Sequence, residues 1–317
     1  LGHEVSVIDR ANWPAARSGI LGGATDAVIV HNVFTMPFDL EWTRELAQLA
    51  EETRSIRWAN WVHDVAAVNP AYCHLGWRET PPRALHVAVS EIRAREWAGV
   101  SGLNAEQVEI IPNGIDPARV LSLPARIADL ANQSDLWQSN LLLFHPARLV
   151  RRKNVELGIQ LVDALRAQGV DARLIITGAP DPHQGDGRRY FEELSALVRS
   201  LDLGRQVMFA GDSGSLAFDE VTALYRLCDA LFFPSHGEGF GLPLLEAELN
   251  RLPVWCSDLA VHKAIAGPGA QFFKPQTGAK SLARRMLRWL DGNKSLAARR
   301  RIWREHSWAH LCKDRLV

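Results

Sequence analysis

The 317 residues are 47% hydrophobic and 23% charged, which excludes a disordered or collagen-like chain and favours two globular domains over one. Thirty-six basic residues balance 36 acidic ones, so the overall charge asks for neither nucleic acid nor an anionic membrane, and any anion must be met locally. Four cysteines (Cys73, Cys228, Cys256, Cys312) form no C-x-x-C pair, and no apolar run approaches the roughly 18 residues of a membrane span. A zinc cluster and a disulfide framework are therefore disfavoured. The absence of a signal-peptide pattern points to a reducing, cytoplasmic compartment.

The chain opens Leu1-Gly2-His3-Glu4-Val5-Ser6-Val7-Ile8 without Met, running straight into a β-branched stretch. A strand over 4–8 reads as the second of a βαβ unit, so the N-terminus is expected to be truncated, with a first strand, loop and helix missing. Further strands are predicted at 26–30, 56–62, 85–89 and 108–111, with helices at 41–52 and 91–98, the latter capped by Ser90. Turn formers from 112 to 124 and a polar stretch to 140 read as a linker. Strands then recur at 141–144, 172–177, 207–210, 230–233, 254–257 and 271–273. Between them lie helical patterns at 154–167, 188–201, 219–228, 243–249, 279–290 and from 295 onward. Val155, Ile159, Val162 and Leu165 form one helical stripe that Gly169 stops. The rhythm predicts an α/β chain with two parallel sheets and ligands beyond the carboxyl ends of the strands.

The most informative segment runs from Phe232 through Pro234-Ser235-His236-Gly237-Glu238-Gly239-Phe240-Gly241-Leu242-Pro243 to Glu246. A buried strand ends, a glycine-rich turn follows, and Pro243 stands at a first helical position, where its missing amide is not needed. Free backbone amides then meet the positive end of a helix, an arrangement that binds phosphate without a cationic side chain. Glu246 is expected in the first helical turn, within reach of sugar hydroxyls, and Glu238 in the approaching loop. The plainer alternative is a tight strand-to-helix connection with one solvated carboxylate and one that favours the helix dipole.

Two glutamates separated by seven residues in E-G-F-G-L-P-L-L-E resemble the signature of retaining glycosyltransferases of the GT-B fold, glycosyltransferase family 4 (glycosyl transferases group 1). Other parts agree in order. Gly2-His3-Glu4-Val5 looks like the family's second strand, His63-Asp64 follows a strand as its active-site histidine does, and Ile111-Pro112-Asn113-Gly114-Ile115-Asp116 is similar to its interdomain turn. Arg148 with Lys153-Asn154 resembles its basic pair. The resemblance implies that Glu246 holds the donor ribose, that Glu238 and His63 lie near the transferred sugar, and that Asn113 and Gly114 shape the cleft floor, although a hinge turn explains the last pair nearly as well.

A nucleotide sugar leaves as a nucleoside diphosphate, so charge grows on the leaving oxygens. Arg148 can present a bidentate fork to it and Lys153 a mobile point charge, aided by the amides of Gly239, Phe240, Gly241 and Leu242. Arg151 and Arg152 read as solvated cations and Asp64 as a turn cap. Thr177-Gly178-Ala179-Pro180-Asp181-Pro182-His183 reads as a longer loop. Trp58, Trp61 and Trp77 could stack on sugar rings or fill core. No D-x-D triplet occurs, so no essential metal and no cofactor beyond the donor substrate are expected.

The resulting expectation is GT-B: an acceptor-side domain over 1–122, with 303–317 packing back onto it, and a nucleotide-sugar domain over 123–302. Its activity would be retaining hexosyl transfer in glycan biosynthesis, from GDP-mannose or UDP-glucose to a carbohydrate or small polar acceptor. Peripheral membrane contact stays open. The rivals are a sugar-nucleotide epimerase on the same fold and a binding module without turnover.

Overall fold

The computed structural model describes residues 4–23, 25–75, 83–178, 185–212 and 214–315. Gly2, His3, Trp77, residues 179–183 and residue 316 of the last expected helix lie outside them. The chain divides into two compact units, Leu1–Gly114 with Leu311–Val317, and Ile115–His310.

The first unit contains α1 (Trp13–Leu21), β1 (Ala27–His31), α2 (Leu40–Glu52), β2 (Arg57–Val62), β3 (Leu85–Ala88), α3 (Glu91–Ser101) and β4 (Val108–Ile110). Its strands form one parallel sheet in the order β1-β2-β3-β4, with His31 opposite Trp61 and Val62 opposite Ala88. Helix α2 buries Thr43, Leu46, Leu49 and Ala50, and its first turn is satisfied by Asp39, whose carboxylate accepts the Trp42 amide at 2.9 Å. Such a cap contributes about 1 kcal/mol. Ser90 caps α3 in the same way, accepting the Arg93 amide at 3.3 Å.

One reading of this half is corrected, and one helix stands where none was expected. Residues 4–8 form no strand: Val5 and Val7 are 80% and 88% exposed, and no neighbouring strand among the described residues offers them a ladder. Alternation alone cannot make a strand without a partner. Helix α1 was not expected, because only Trp13 and Ile20 of its nine residues are buried and its periodic signal is weak.

The second unit opens with α4 (Pro117–Val120) and α5 (Ala125–Gln133), then β5 (Leu141–His145), α6 (Val155–Arg166), β6 (Ala172–Ile176), α7 (Gly185–Ser200) and β7 (Val207–Phe209). It continues through α8 (Phe218–Leu227), β8 (Ala230–Phe233), α9 (Leu242–Leu249), β9 (Val254–Ser257), α10 (Ala260–Ile265) and β10 (Gln271–Phe273). Helices α11 (Ala279–Gly292), α12 (Lys294–Glu305) and α13 (Trp308–Arg315) end the chain, the first unit taking the residues from Leu311 onward. All six strands are parallel in the order β10-β9-β8-β5-β6-β7. Strands β5, β6, β8 and β9 are buried throughout, which is why they read as continuous apolar runs rather than alternations. The strand order reverses between β5 and β8, and the crevice beyond their carboxyl ends is where such sheets collect ligands.

The stretch read as a linker belongs to this second fold. Asp116 accepts the amides of Ala118 and Arg119 at 2.9 and 3.2 Å and starts α4 at Pro117, while α5 buries Ile127 and Ala131 one turn apart. The Ile115 amide donates to His306 O at 2.8 Å, and the Trp308 amide donates to Ile115 O at 3.0 Å. A mostly polar sequence with two apolar residues on one stripe is an amphipathic cover, not a spacer.

Beneath α12, Arg300 is 1% exposed and pairs with Asp229, itself 3% exposed. The guanidinium also donates to Leu136 O and Ser139 O, both at 3.2 Å, and Asp229 Oδ2 accepts the Leu142 amide at 2.7 Å. One buried ion pair thus ties the helix to the starts of β5 and β8. Among the described residues, no helix is long and apolar enough to cross a membrane.

Candidate active site

At the reversal of the second sheet, β5 ends in His145 and β8 in Phe233, and the segments that follow them face each other. After β5 the chain makes a 3-10 turn at Arg151–Lys153, and Asn154 (φ 52°) turns it into α6. After β8 the loop 234–241 leads into α9, with Gly241 at φ 100° as its N-cap. Only glycine takes that conformation freely. The two segments are tied together: the His236 amide donates to Arg152 O at 2.8 Å, Asn154 Nδ2 to Pro234 O at 3.1 Å, and Arg152 to Gly237 O at 3.0 Å.

Glu238 sits inside this tie. One carboxylate oxygen accepts Lys153 Nζ at 2.5 Å and the other accepts Arg152 at 3.1 Å, with the Glu238 and Lys153 side chains only 7% and 10% exposed. Burial pushes the Glu238 carboxyl up, but Lys153 and Arg152 outweigh it and hold it below its ordinary range. For Lys153 burial is the largest influence and lowers its value, with Arg152 and Arg148 adding and Glu238 opposing. The ammonium lies 4.6 Å from the centre of the Phe233 ring, a cation–π contact.

Two further imidazoles flank Phe233. His145 is fully buried, and neither ring nitrogen has a hydrogen-bond partner among the described residues; burial first, then the Lys153 charge, pushes it down to about 3. It is a neutral ring 6.4 Å from Phe233, edge to face. His262 donates through Nδ1 to Ser257 O at 2.8 Å, which fixes its tautomer, and its ring lies 5.4 Å from that of Phe233.

Among the described residues, the amides of Gly239, Phe240, Gly241 and Leu242 make no hydrogen bond, whereas that of Leu244 is taken by Gly241 O at 2.9 Å. Four consecutive backbone donors next to Glu238 in the chain therefore lack partners among the described residues, with Gly239, Phe240 and Leu242 exposed and Gly241 buried. Arg148 is exposed and makes no ion pair or side-chain hydrogen bond among the described residues, though it is close enough to depress Lys153. Glu246 is the fifth residue of α9 and not in its first turn, because the helix begins only at Leu242. It is half-buried and accepts Tyr225 Oη at 2.5 Å, apart from the Glu238 cluster.

In the first unit, His63 follows β2. Asn32 (φ 60°), just past β1, accepts the amides of His63 and Asp64 through one Oδ1 at 2.8 and 3.0 Å. The His63 ring lies with Nε2 2.9 Å from His31 Nδ1 and Nδ1 3.4 Å from Asn113 Nδ2. Three strand ends, those of β1, β2 and β4, thus meet at His63. Burial lowers the pKa of both imidazoles, opposed at His63 by Asp64 and reinforced at His31 by His63. Asp64 itself lies 3.7 Å from Arg93.

Several readings change with the geometry. Arg152 is not a free surface cation but half of the clasp on Glu238; Arg151 turns away to Glu193 at 2.7 Å. Of the two uses open to Trp58 and Trp61, core filling is the one the structure shows, at 5% and 6% exposure. His31, Tyr225 and His145 went unnoticed in the sequence. The signal for His31 was available, since it ends a β-branched strand as His63 follows the next. Among the described residues, no three His, Cys, Asp or Glu side chains converge as metal ligands would.

A family model described as Glycosyl transferases group 1 matches residues 129–306, more than half of the chain. The D-inositol 3-phosphate glycosyltransferase of Actinosynnema mirum is 28% identical over 213 residues, 67% of this chain and 48% of that protein. A serotype-specific mannosyltransferase, WbdA of Escherichia coli, is 44% identical over 73 residues, 23% of this chain and 9% of that protein. The chain thus spans about half the length of the first of these relatives. The crystal structure of Anabaena Alr3699/HepE in complex with UDP is 19% identical with a TM-score of 0.45, covering 95% of this chain and 78% of that one.

Proposed function

Because the chain belongs to the glycosyl transferases group 1 family, we propose that it moves a hexosyl group, with retention, from a nucleotide sugar of GDP-mannose or UDP-glucose type to a carbohydrate or small polar acceptor. The observation that carries this reading is the Glu238 carboxylate, clasped by Lys153 and Arg152 at the sheet reversal and followed in the chain by the amides of residues 239–242, unpaired among the described residues. The names of the two relatives, one a glycosyltransferase acting on an inositol phosphate and one a mannosyltransferase, favour transfer over epimerisation.

In this reading the diphosphate settles against the four amides and the positive end of α9, with Arg148 adding a guanidinium fork and Lys153 a second charge. These groups are already in place, so they stabilise the leaving oxygens without reorganising. Positive charge at the diphosphate comes from side chains and amides, with no metal required. Glu238 has both oxygens engaged by cations, which suits it to accept hydrogen bonds from hydroxyls of the transferred sugar better than to attack its anomeric carbon. Glu246, oriented by Tyr225, takes the ribose hydroxyls. His63, with Asn113 behind it, is the first unit's candidate for hydrogen-bonding a sugar hydroxyl.

The test is acceptor-dependent release of nucleoside diphosphate, preceded by calorimetric titration with UDP, GDP and ADP in metal-free buffer. Binding of one nucleotide that is lost in Glu246→Ala, with release that needs acceptor, supports the proposal. Binding without release leaves the binding module, and turnover of the sugar without diphosphate release leaves the epimerase.

A further inference from the structure

We propose that His31 is the positioning partner of His63, locking its imidazole in a single tautomer and orientation at the carboxyl end of the first sheet. The proposal deepens the glycosyl-transfer reading and takes its functional meaning from it, but its geometry stands independently.

His31 Nδ1 and His63 Nε2 are 2.9 Å apart, whereas the ring centres are 5.2 Å apart and the planes differ by 29°. Centres so far apart with nitrogens so close mean that the rings meet edge to edge through one shared proton, not face to face. Its direction follows from the other side of His63. There the neighbour is the amide nitrogen of Asn113, which can only donate, so His63 Nδ1 accepts and carries no proton. In a neutral imidazole the proton is then on Nε2, and His63 donates to His31 Nδ1. His31 must in turn carry its own proton on Nε2, the one ring nitrogen of the pair without a hydrogen bond among the described residues. The order is fixed from Asn113 through His63 to His31.

The surroundings hold this order. His31 lies beside Trp61, 5.8 Å between ring centres with planes 28° apart, and Trp61 is the residue its own strand pairs with. The main chain of His63 is pinned by Asn32, so ring rotation is the only freedom His31 and Asn113 need to remove. With both nitrogens of His63 engaged, the pair takes up a further proton only by giving up one of its two hydrogen bonds. The same end of the sheet therefore presents a neutral, oriented ring with His31 Nε2–H as its outward donor.

The experiment uses the full chain labelled with 15N-histidine and two-bond proton–nitrogen correlation spectra, which distinguish protonated from bare ring nitrogens. The expected wild-type pattern is a bare Nδ1 and protonated Nε2 at His63, with a bare Nδ1 at His31. In His31→Phe only the long 3.4 Å contact to Asn113 is left to select the tautomer, so the His63 pattern should move to a mixture, and in His31→Gln, whose amide oxygen can accept the same proton, it should return. A wild-type His63 protonated on Nδ1, or a pattern unmoved by His31→Phe, overturns the proposal. Should His31→Phe fail to fold, the wild-type spectrum and His31→Gln still decide it. With a turning-over enzyme, His31→Phe should lower kcat about three- to tenfold with KM unchanged, the loss of one hydrogen bond, and a raised KM at unchanged kcat would count against positioning. An inactive wild-type chain would refute the glycosyl-transfer reading and leave the spectra to judge the histidine pair.

Discussion

Lys153 and Glu238 lie 85 positions apart in the sequence and 2.5 Å apart in the structure, on segments that leave neighbouring strands at the reversal of the second sheet. Each neutralises a charge that the other's burial would otherwise make costly. Removing one partner of a buried pair is worse than removing both, because it strands a charge away from water. Glu238→Ala should therefore destabilise the protein by roughly 3 kcal/mol, and Lys153→Met with Glu238→Gln by less than the sum of the single changes. Urea unfolding of the four proteins measures this; strict additivity would mean the pair is not coupled. If the proposed chemistry holds, Glu238→Ala also lowers kcat by about a hundredfold or more.

His145 makes acid stability the sensitive quantity. Its folded-state pKa of about 3 lies below the ordinary 6.5, so its contribution is complete above 6.5 and is lost as pH falls toward 3. The loss amounts to as much as about 4 kcal/mol across that window. His145→Phe keeps an aromatic ring in the same place and cannot take the proton. Its unfolding free energy should fall less between pH 7 and about pH 4.5 than that of the wild type, and equal slopes would remove His145 as the cause.

Arg300 and Asp229 should behave as a structural pair with a second dependent. Arg300→Met leaves the buried Asp229 with only Arg299, 3.7 Å away, as a counter-charge, at a cost of roughly 3 kcal/mol. Asp229→Asn is milder, since its side-chain oxygen still accepts the Leu142 amide, whereas Asp229→Ala leaves that amide without a partner. Chemical denaturation should rank the two Asp229 variants in that order.

Tyr225 supplies a test of Glu246 that leaves the glutamate in place. Tyr225→Phe removes a hydrogen bond to its carboxylate, a contribution of about 1.5–3 kcal/mol where one partner is charged. Nucleotide affinity should fall by roughly tenfold or more as Glu246 loses its orientation, with kcat at saturating donor little changed. Calorimetry that finds identical affinity would place the ribose elsewhere.

The second sheet was legible because its strands are buried on both faces and announce themselves as apolar runs such as Leu141-Leu142-Leu143-Phe144. The Glu238 loop was legible because glycine at 241 and proline at 243 constrain the backbone whatever surrounds them. Arg152 was not: in a run with Arg151 and Lys153, which cation turns inward depends on a 3-10 turn that the run itself does not encode. For Trp58 and Trp61 the choice between stacking on sugar and filling core stayed open because strand alternation tells which residues share a side, but not that both sides are covered. The stretch 4–8 shows the opposite error, a strand pattern with no strand beside it among the described residues.

The three hydrogen bonds that join the segment around Arg152 to the loop 234–241 have a consequence for the heat of ligand binding. Two loops clamped to each other in the free protein have already lost their conformational freedom during folding. A ligand arriving there meets a rigid cradle and orders little of the chain, so its uptake should show a modest heat-capacity change set by the apolar surface it covers rather than by any folding of the loops.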